Sequence, residues 1–322
     1  MDFRLEFDPP SLSQKIDLDD KIMLVGSCFT DHVHHYLVAS KFRALQNPNG
    51  ILFNPMSIAN ALYRYVENNH LTSDELFERN GLWNHWDFHS NLSCTSQVES
   101  LGQMNHTINS AHEFLKNAQW LIITLGSAFV YELAGAQIVA NCHKMPASHF
   151  TKRLLEPEEI ISTFNNVIDQ LKQFNNTLNI IFTISPVRHL RDGFVENNRS
   201  KSVLIHAVDK LTHQHEHLHY FPSYELVVDD LRDYRFYAED MVHPNYLATR
   251  YVWEKFSSSC INGRSREVMK ELEQLNMAFH HKPLHPDSTE HIKFRNKFKE
   301  IALSLATRFP SIDLNKEINH FS

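Results

Sequence analysis

The sequence predicts an α/β fold, a three-layer α/β/α sandwich with a mainly parallel sheet, followed by a C-terminal helical extension. Three apolar runs are continuous rather than alternating, at residues 23–25, 120–125 and 178–184. Strands that are buried on both faces have this composition, and they are typical of parallel sheets. Segments with apolar residues at helical spacing alternate with these runs, as expected for a sheet covered by helices on both faces.

The other elements follow in chain order from local signals. Phe3, Leu5 and Phe7 alternate with polar residues, which predicts an extended edge segment within residues 1–20. Turn residues around Gly135 predict a β-hairpin at 131–141. Further strands are predicted at 42–45 and 219–221, and helices at 30–39, 57–67, 104–117, 157–174, 198–215, 222–231 and 245–256.

The order of these elements suggests how the chain is divided. We predict one α/β domain at residues 1–260, with a hairpin and loop insertion near 80–145. Residues 261–322 carry two more helical patterns, which are interrupted between Pro283 and Pro286. They predict an appended helical extension.

Composition excludes several classes of function. The chain has 322 residues, 42% of them hydrophobic, and a formal net charge of −7, so nucleic acid is not an expected partner. No apolar run reaches membrane-spanning length, and the first residues lack the basic start of a signal peptide. Four widely spaced cysteines without a CxxC pair indicate reduced thiols in a cytoplasmic protein. Nothing in the sequence indicates an oligomer, although one remains compatible with it.

The first buried strand ends in Gly26, Ser27 and Cys28, directly before a predicted helix. A serine at this position lies at the carboxyl end of a strand and at a helix N-terminus, where developing negative charge is favoured. Ser27 is therefore a candidate nucleophile, and the alternative is that it only caps the helix. Cys28 is a second candidate if the helix N-terminus favours its thiolate, or it packs as a small apolar residue.

A second candidate stretch precedes the last helix of the α/β domain, where Asp240 and His243 come just before Pro244. An aspartate three residues before a histidine can fold back onto its Nδ1–H, which leaves Nε2 free to accept a proton. The alternative is a capping aspartate beside a surface histidine. A sheet order of 2-1-3-4-5 would place Gly26 and Gly126 on either side of a crevice at the strands' carboxyl ends.

Residues 26–30, Gly-Ser-Cys-Phe-Thr, are similar to the signature of the GSCFA family, which belongs with the SGNH (GDSL-like) hydrolases. The resemblance extends over roughly residues 20–258. The further segments that carry it are residues 47–55, 141–144, 185–189, 196–201, 221–225 and 233–244.

The resemblance implies a flavodoxin-like fold and a serine esterase site. Ser27 would be the nucleophile, His243 the general base and Asp240 the residue that orients it. The backbone N–H groups of Ser27 and Gly50 would form the oxyanion hole, where a well-placed donor contributes about 2.7–4 kcal/mol.

One departure from the SGNH pattern concerns the oxyanion hole. These enzymes have a Gly-x-Asn-Asp block whose asparagine side chain completes the hole, whereas this chain has Ala128 at the asparagine position. Asn141 is the first candidate replacement and Asn47 the second, although either asparagine could simply form a turn.

Four residues are candidates for substrate binding, namely Asn47, Arg188, His189 and His143. A salt bridge is the alternative for Arg188 and His189, and a surface position is the alternative for His143. The expected activity is hydrolysis of a small-molecule or carbohydrate ester, for example an acetyl or short acyl ester. An O-acyltransferase with the same site and a catalytically silent glycan-binding module are the alternatives. No cofactor or metal is expected, because the sequence contains none of the nucleotide-binding or zinc-protease motifs.

Overall fold

The computed structural model describes residues 5–322. Ten strands occur within these residues, and they are numbered in sequence order. They are β1 (Lys21–Gly26), β2 (Arg43–Gln46), β3 (Phe77–Arg79), β4 (Leu82–Asn84), β5 (Trp120–Leu125), β6 (Phe129–Glu132), β7 (Ile138–Val139), β8 (Thr151–Leu154), β9 (Asn179–Ile184) and β10 (Leu218–Phe221).

The helices are numbered in the same way. They are α1 (Phe29–Ala39), α2 (Pro55–Glu67), α3 (Gln97–Lys116), α4 (Pro157–Phe174), α5 (Phe194–Gln214), α6 (Ser223–Glu225, continued by a π-helical turn at Leu226–Leu231), α7 (Tyr246–Cys260), α8 (Gly263–Phe279), α9 (Thr289–Arg308) and α10 (Asn315–His320). None of the helices described between residues 5 and 322 combines the length and the apolar composition needed to span a bilayer.

The central sheet has five strands in the order β10-β9-β5-β1-β2, and every pair in it is parallel. When only the five strands of this sheet are numbered along the chain, the order from the β2 edge is the predicted 2-1-3-4-5. The mixed α/β fold with its mainly parallel sheet and C-terminal helices is therefore confirmed. The strand order reverses beside β1 and β5, so their carboxyl ends flank the crevice where open α/β sheets bind ligands.

Two smaller antiparallel sheets lie outside the central one. β3 pairs with β4, and β6 lies between β7 and β8. The β6–β7 pair matches the hairpin that the turn residues around Gly135 predict.

The two faces of the central sheet carry separate hydrophobic cores. Met23 and Val25 of β1 point to the core formed with α2, α3, α4 and α5, whereas Ile22 and Leu24 point to the opposite one. This alternation follows from the two-residue period of a strand. The second core is covered by α1 and α7 and also by the C-terminal helices α8 and α9.

The first residues of the chain differ from the prediction. Residues 5–20 contain no strand, only a single bridge between Ile16 and Ile261, so the predicted edge segment is not formed there. Phe3 lies outside the described residues. The division of the chain at residues 260 and 261 stays a prediction.

Candidate active site

The turn that follows β1 requires glycine at position 26. Gly26 has φ +143°, and a Cβ at this position would lie 2.1 Å from the carbonyl oxygen of Thr124 in β5. An L-residue rarely adopts this φ and would collide with the neighbouring strand. The tight approach sets the directions in which Ser27 and Cys28 leave the strand.

Ser27 faces the interior of the protein. Its backbone N–H donates to Thr124 O at 3.0 Å, and the residue has 0% exposed surface. The Oγ has no hydrogen-bond partner among residues 5–322. Cys28, in contrast, is partly exposed and is the N-cap residue of α1.

Asn47 fixes this turn from the side of β2. Its Oδ1 accepts a hydrogen bond from Gly26 N–H at 2.8 Å, and its Nδ2 donates to Thr30 Oγ1 at 2.7 Å. The asparagine thus connects the residue before Ser27 with the first turn of α1. Its two side-chain contacts support a positioning role.

Asp240 and His243 form the pair that their spacing predicts. The His243 Nδ1 and the Asp240 Oδ2 are 2.6 Å apart, and Oδ1 of Asp240 accepts the backbone N–H groups of Val242 and His243. These backbone hydrogen bonds, together with that from the His243 ring, lower the pKa of Asp240 to about 2. Asp240 is therefore a carboxylate at neutral pH, and it holds the Nδ1 proton of His243.

A series of contacts links this pair to the turn after β1. Gly126 N–H donates to Phe53 O at 2.9 Å. Gly126 also lies close to Ser27, because a Cβ added to Gly126 would be 3.2 Å from Ser27 Cβ. The rings of Phe53 and His189 meet edge to face at 5.4 Å between centroids.

The same series continues to the loop of His243, because the backbone N–H of Arg188 donates to Val242 O at 3.3 Å. Burial, together with the charges of Lys201 and His243, lowers the pKa of His189 to about 4. The turn after β1 and the loop before α7 therefore both border the crevice at the carboxyl ends of the strands.

Lys201 lies beneath this crevice and is the main residue that sequence reasoning missed. It is 1% exposed, and its Nζ donates to Gly126 O and to Ser185 O, both at 2.7 Å. The ammonium group thus joins the chain just beyond β5 to the chain just beyond β9. Burial lowers the pKa of Lys201 to about 7, while the nearby Cys28 acts in the opposite direction.

The predicted oxyanion donors have hydrogen-bond partners in this structure, and their role in an oxyanion hole stays a prediction. Ser27 N–H belongs to the sheet hydrogen bonding described above, and Gly50 N–H donates to Asn47 O at 2.7 Å. The Asn141 side chain donates to Ser90 Oγ at 3.2 Å and accepts the His143 N–H at 2.9 Å.

Besides Asn47, the other three predicted substrate-binding residues have different surroundings. His143 is buried, with Nε2 2.9 Å from His85 O and Nδ1 3.3 Å from Ser90 Oγ, so its contacts favour a structural role over substrate binding. The guanidinium of Arg188 lies 4.5 Å from the ring centroid of Tyr237. Arg188 Nη1 and His189 Nε2 are buried and have no hydrogen-bond partner within residues 5–322.

A cavity of about 760 Å³ lies apart from these residues. It borders β10, with Leu12, Thr212 and Tyr220 in its wall. It lies at the edge of the sheet farthest from β1 and contains none of the residues of the candidate site.

Two family profiles match most of the chain. The sequence profile of the GSCFA family matches residues 21–256, and that of the GSCFA domain protein, C-terminal domain, matches residues 272–322. The chain belongs to the GSCFA family.

Three similar solved structures each share 10% sequence identity with the chain. A carbohydrate esterase family 3 protein from Talaromyces cellulolyticus has a TM-score of 0.36, covering 78% of this chain and 99% of its own. An acetyl esterase mutant with an acetate ion has a TM-score of 0.35, covering 79% and 99%. The acetyl xylan esterase Est2A from the rumen bacterium Butyrivibrio proteoclasticus has a TM-score of 0.38, covering 81% and 66%. No curated protein sequence matches the chain.

Proposed function

We propose that this protein hydrolyses acyl esters of small molecules or carbohydrates by covalent catalysis of the SGNH type. The observation that carries the proposal is the hydrogen bond of 2.6 Å between Asp240 and His243. The carboxylate fixes the ring so that Nε2 is the free nitrogen, which can accept and return a proton. The pair belongs to a loop beside the crevice, where the turn after β1 offers a nucleophile.

The reaction has two halves that use the same base. The nucleophile of the turn at residues 27–28 attacks the ester carbonyl while His243 accepts its proton, and His243 then protonates the leaving alcohol. A water molecule, activated by His243, releases the acid and restores the nucleophile. Asp240 stabilises the imidazolium that forms in each half, and its low pKa keeps it ionised throughout.

Arg188 and His189 are the proposed contacts for the substrate. Each has a buried nitrogen without a partner in the described chain, at Nη1 and Nε2 respectively. Both residues are half-buried just beyond β9, so their other side-chain nitrogens can donate to an ester oxygen of the substrate.

Hydrolysis of p-nitrophenyl acetate by the purified full-length chain tests the proposal. His243→Ala should lower kcat/KM by about 100-fold or more, because it removes the general base, and Asp240→Asn should cause a smaller loss. His213→Ala is the matched control, since His213 forms a similar exposed pair with Asp209 on α5, with Nδ1–Oδ1 at 3.3 Å. Absence of hydrolysis by the wild type, or equal activity of the His243 and His213 variants, would contradict the proposal.

A further inference from the structure

We propose that the nucleophile of this site is the thiol of Cys28 and not the hydroxyl of Ser27. The inference rests on the proposed ester hydrolysis and assigns its attacking atom. It starts from the different exposure of the two consecutive side chains that follow β1. Ser27 is completely buried, with an Oγ that no described group contacts, whereas Cys28 is partly exposed. A substrate in the crevice can meet the sulfur but not the hydroxyl.

The backbone N–H groups of the turn support the same assignment. Ser27 N–H is used by the sheet, through its hydrogen bond to Thr124 O. The N–H groups of Cys28 and Phe29 donate to no carbonyl within the described chain. Both N–H groups lower the pKa of the Cys28 thiol. Because the first N–H groups of a helix have no partner within it, these two remain for an anion. They stabilise a developing thiolate, and the Cys28 N–H is the available donor for the oxygen of an acyl group on Cys28.

The charged groups around Cys28 determine how its proton leaves. Burial raises the pKa of the thiol and Asp31 raises it further, whereas the two N–H groups and Lys201 lower it. The thiol is therefore protonated at rest, and a base must accept its proton during the attack. His32 lies one helical turn after Cys28 on α1. Burial lowers the pKa of His32, and the charge of His243 lowers it as well. His243 is therefore near this face of the helix.

The covalent step balances with water as the only co-reactant. The Cys28 S–H proton moves to His243 Nε2 as sulfur bonds to the carbonyl carbon. The carbon–oxygen bond to the alcohol then breaks, and the alcohol leaves with that proton. Water adds to the thioester, the sulfur–carbon bond breaks, and the acid and the thiol are regenerated.

Two variants and one chemical modification test the assignment with the full-length protein and p-nitrophenyl acetate. Ser27→Ala should retain activity within about 3-fold, whereas Cys28→Ala should lose at least about 100-fold. Cys94→Ala is the matched control, because Cys94 is also a partly exposed free thiol but lies beside β4. In the wild type, iodoacetamide should abolish hydrolysis in proportion to alkylation of Cys28 as followed by peptide mass spectrometry.

The possible outcomes separate this inference from the proposed function. If the wild type is active, an inactive but folded Ser27→Ala variant would overturn the inference, and so would full activity after complete alkylation of Cys28. Either result would leave the ester hydrolysis itself intact. If the wild type hydrolyses no ester, the proposed function fails, and the assignment of a nucleophile fails with it.

Discussion

Three buried or half-buried side chains at the crevice differ in what surrounds them. Ser27 Oγ has no partner in the described chain, Cys28 has two N–H groups, and Lys201 has two carbonyl oxygens. An unsatisfied hydroxyl in the interior costs roughly 1–3 kcal/mol, which Ser27→Ala would relieve. Lys201 is a different case, because its ammonium is hydrogen bonded but still far from water.

The buried ammonium of Lys201 should make the stability of the protein depend on pH. Its pKa is lowered by burial from 10.5 in the unfolded chain to about 7 in the folded protein. Between these values the unfolded state binds more protons, so the free energy of unfolding rises as pH increases. From pH 7 to pH 9 we expect a gain of about 1–3 kcal/mol from this residue.

Urea unfolding of the wild type and Lys201→Met at pH 7 and pH 9 measures this effect. The wild type should gain stability over the interval relative to the variant, which lacks the titrating group. Lys210→Met is the control, because Lys210 is an exposed lysine on the same helix, α5. An equal pH dependence for the wild type and Lys201→Met would show that Lys201 binds its proton equally in the folded and unfolded states.

At the scale of elements, the sheet could be predicted because its strands are continuous apolar runs. β5 and β9 are buried along their whole length, and the order of strands follows one of the two common patterns for such folds. The Asp240–His243 pair could also be predicted, because both residues belong to one short loop. Local signals of this kind do not depend on the rest of the fold.

Sequence reasoning could not decide which side chain of the turn faces the crevice. Ser27 and Cys28 are adjacent, and the φ of +143° at Gly26 and its contact with Thr124 of β5 decide where each one points. Lys201 did leave a signal, since it lies on the buried stripe of α5 with Asn197 and Leu204, four and three residues away respectively. Its charge argued against burial, because lysine is almost never fully buried unless it is paired.

At the scale of the whole molecule, the C-terminal helices share a core with the sheet. Leu272 of α8 and Leu305 of α9 belong to the same cluster as Leu24 of β1 and Phe256 of α7. The family profiles treat residues 21–256 and 272–322 separately, but the apolar contacts are continuous across this division. We therefore expect the two parts to unfold together.

Calorimetry of Leu305→Ala in the full chain tests this expectation. Leu305 has 0% exposed surface, so the substitution should cost about 2–5 kcal/mol and lower the temperature of a single unfolding transition. Leu303→Ala on the same helix is the control, because Leu303 is 45% exposed. A second, separate transition that alone responds to Leu305→Ala would contradict a shared core.

The most direct test of the central claim is to locate the acyl group on the protein during turnover. p-Nitrophenyl pivalate is suitable, because its branched acyl group slows release by water, and the reaction is quenched in acid before tryptic digestion. We expect one acyl group on the peptide of residues 22–41, which carries Ser27 and Cys28. In the His243→Ala variant, the same peptide should carry no acyl group. Product formation with the acyl group on another peptide, or with none on the protein, would contradict the account.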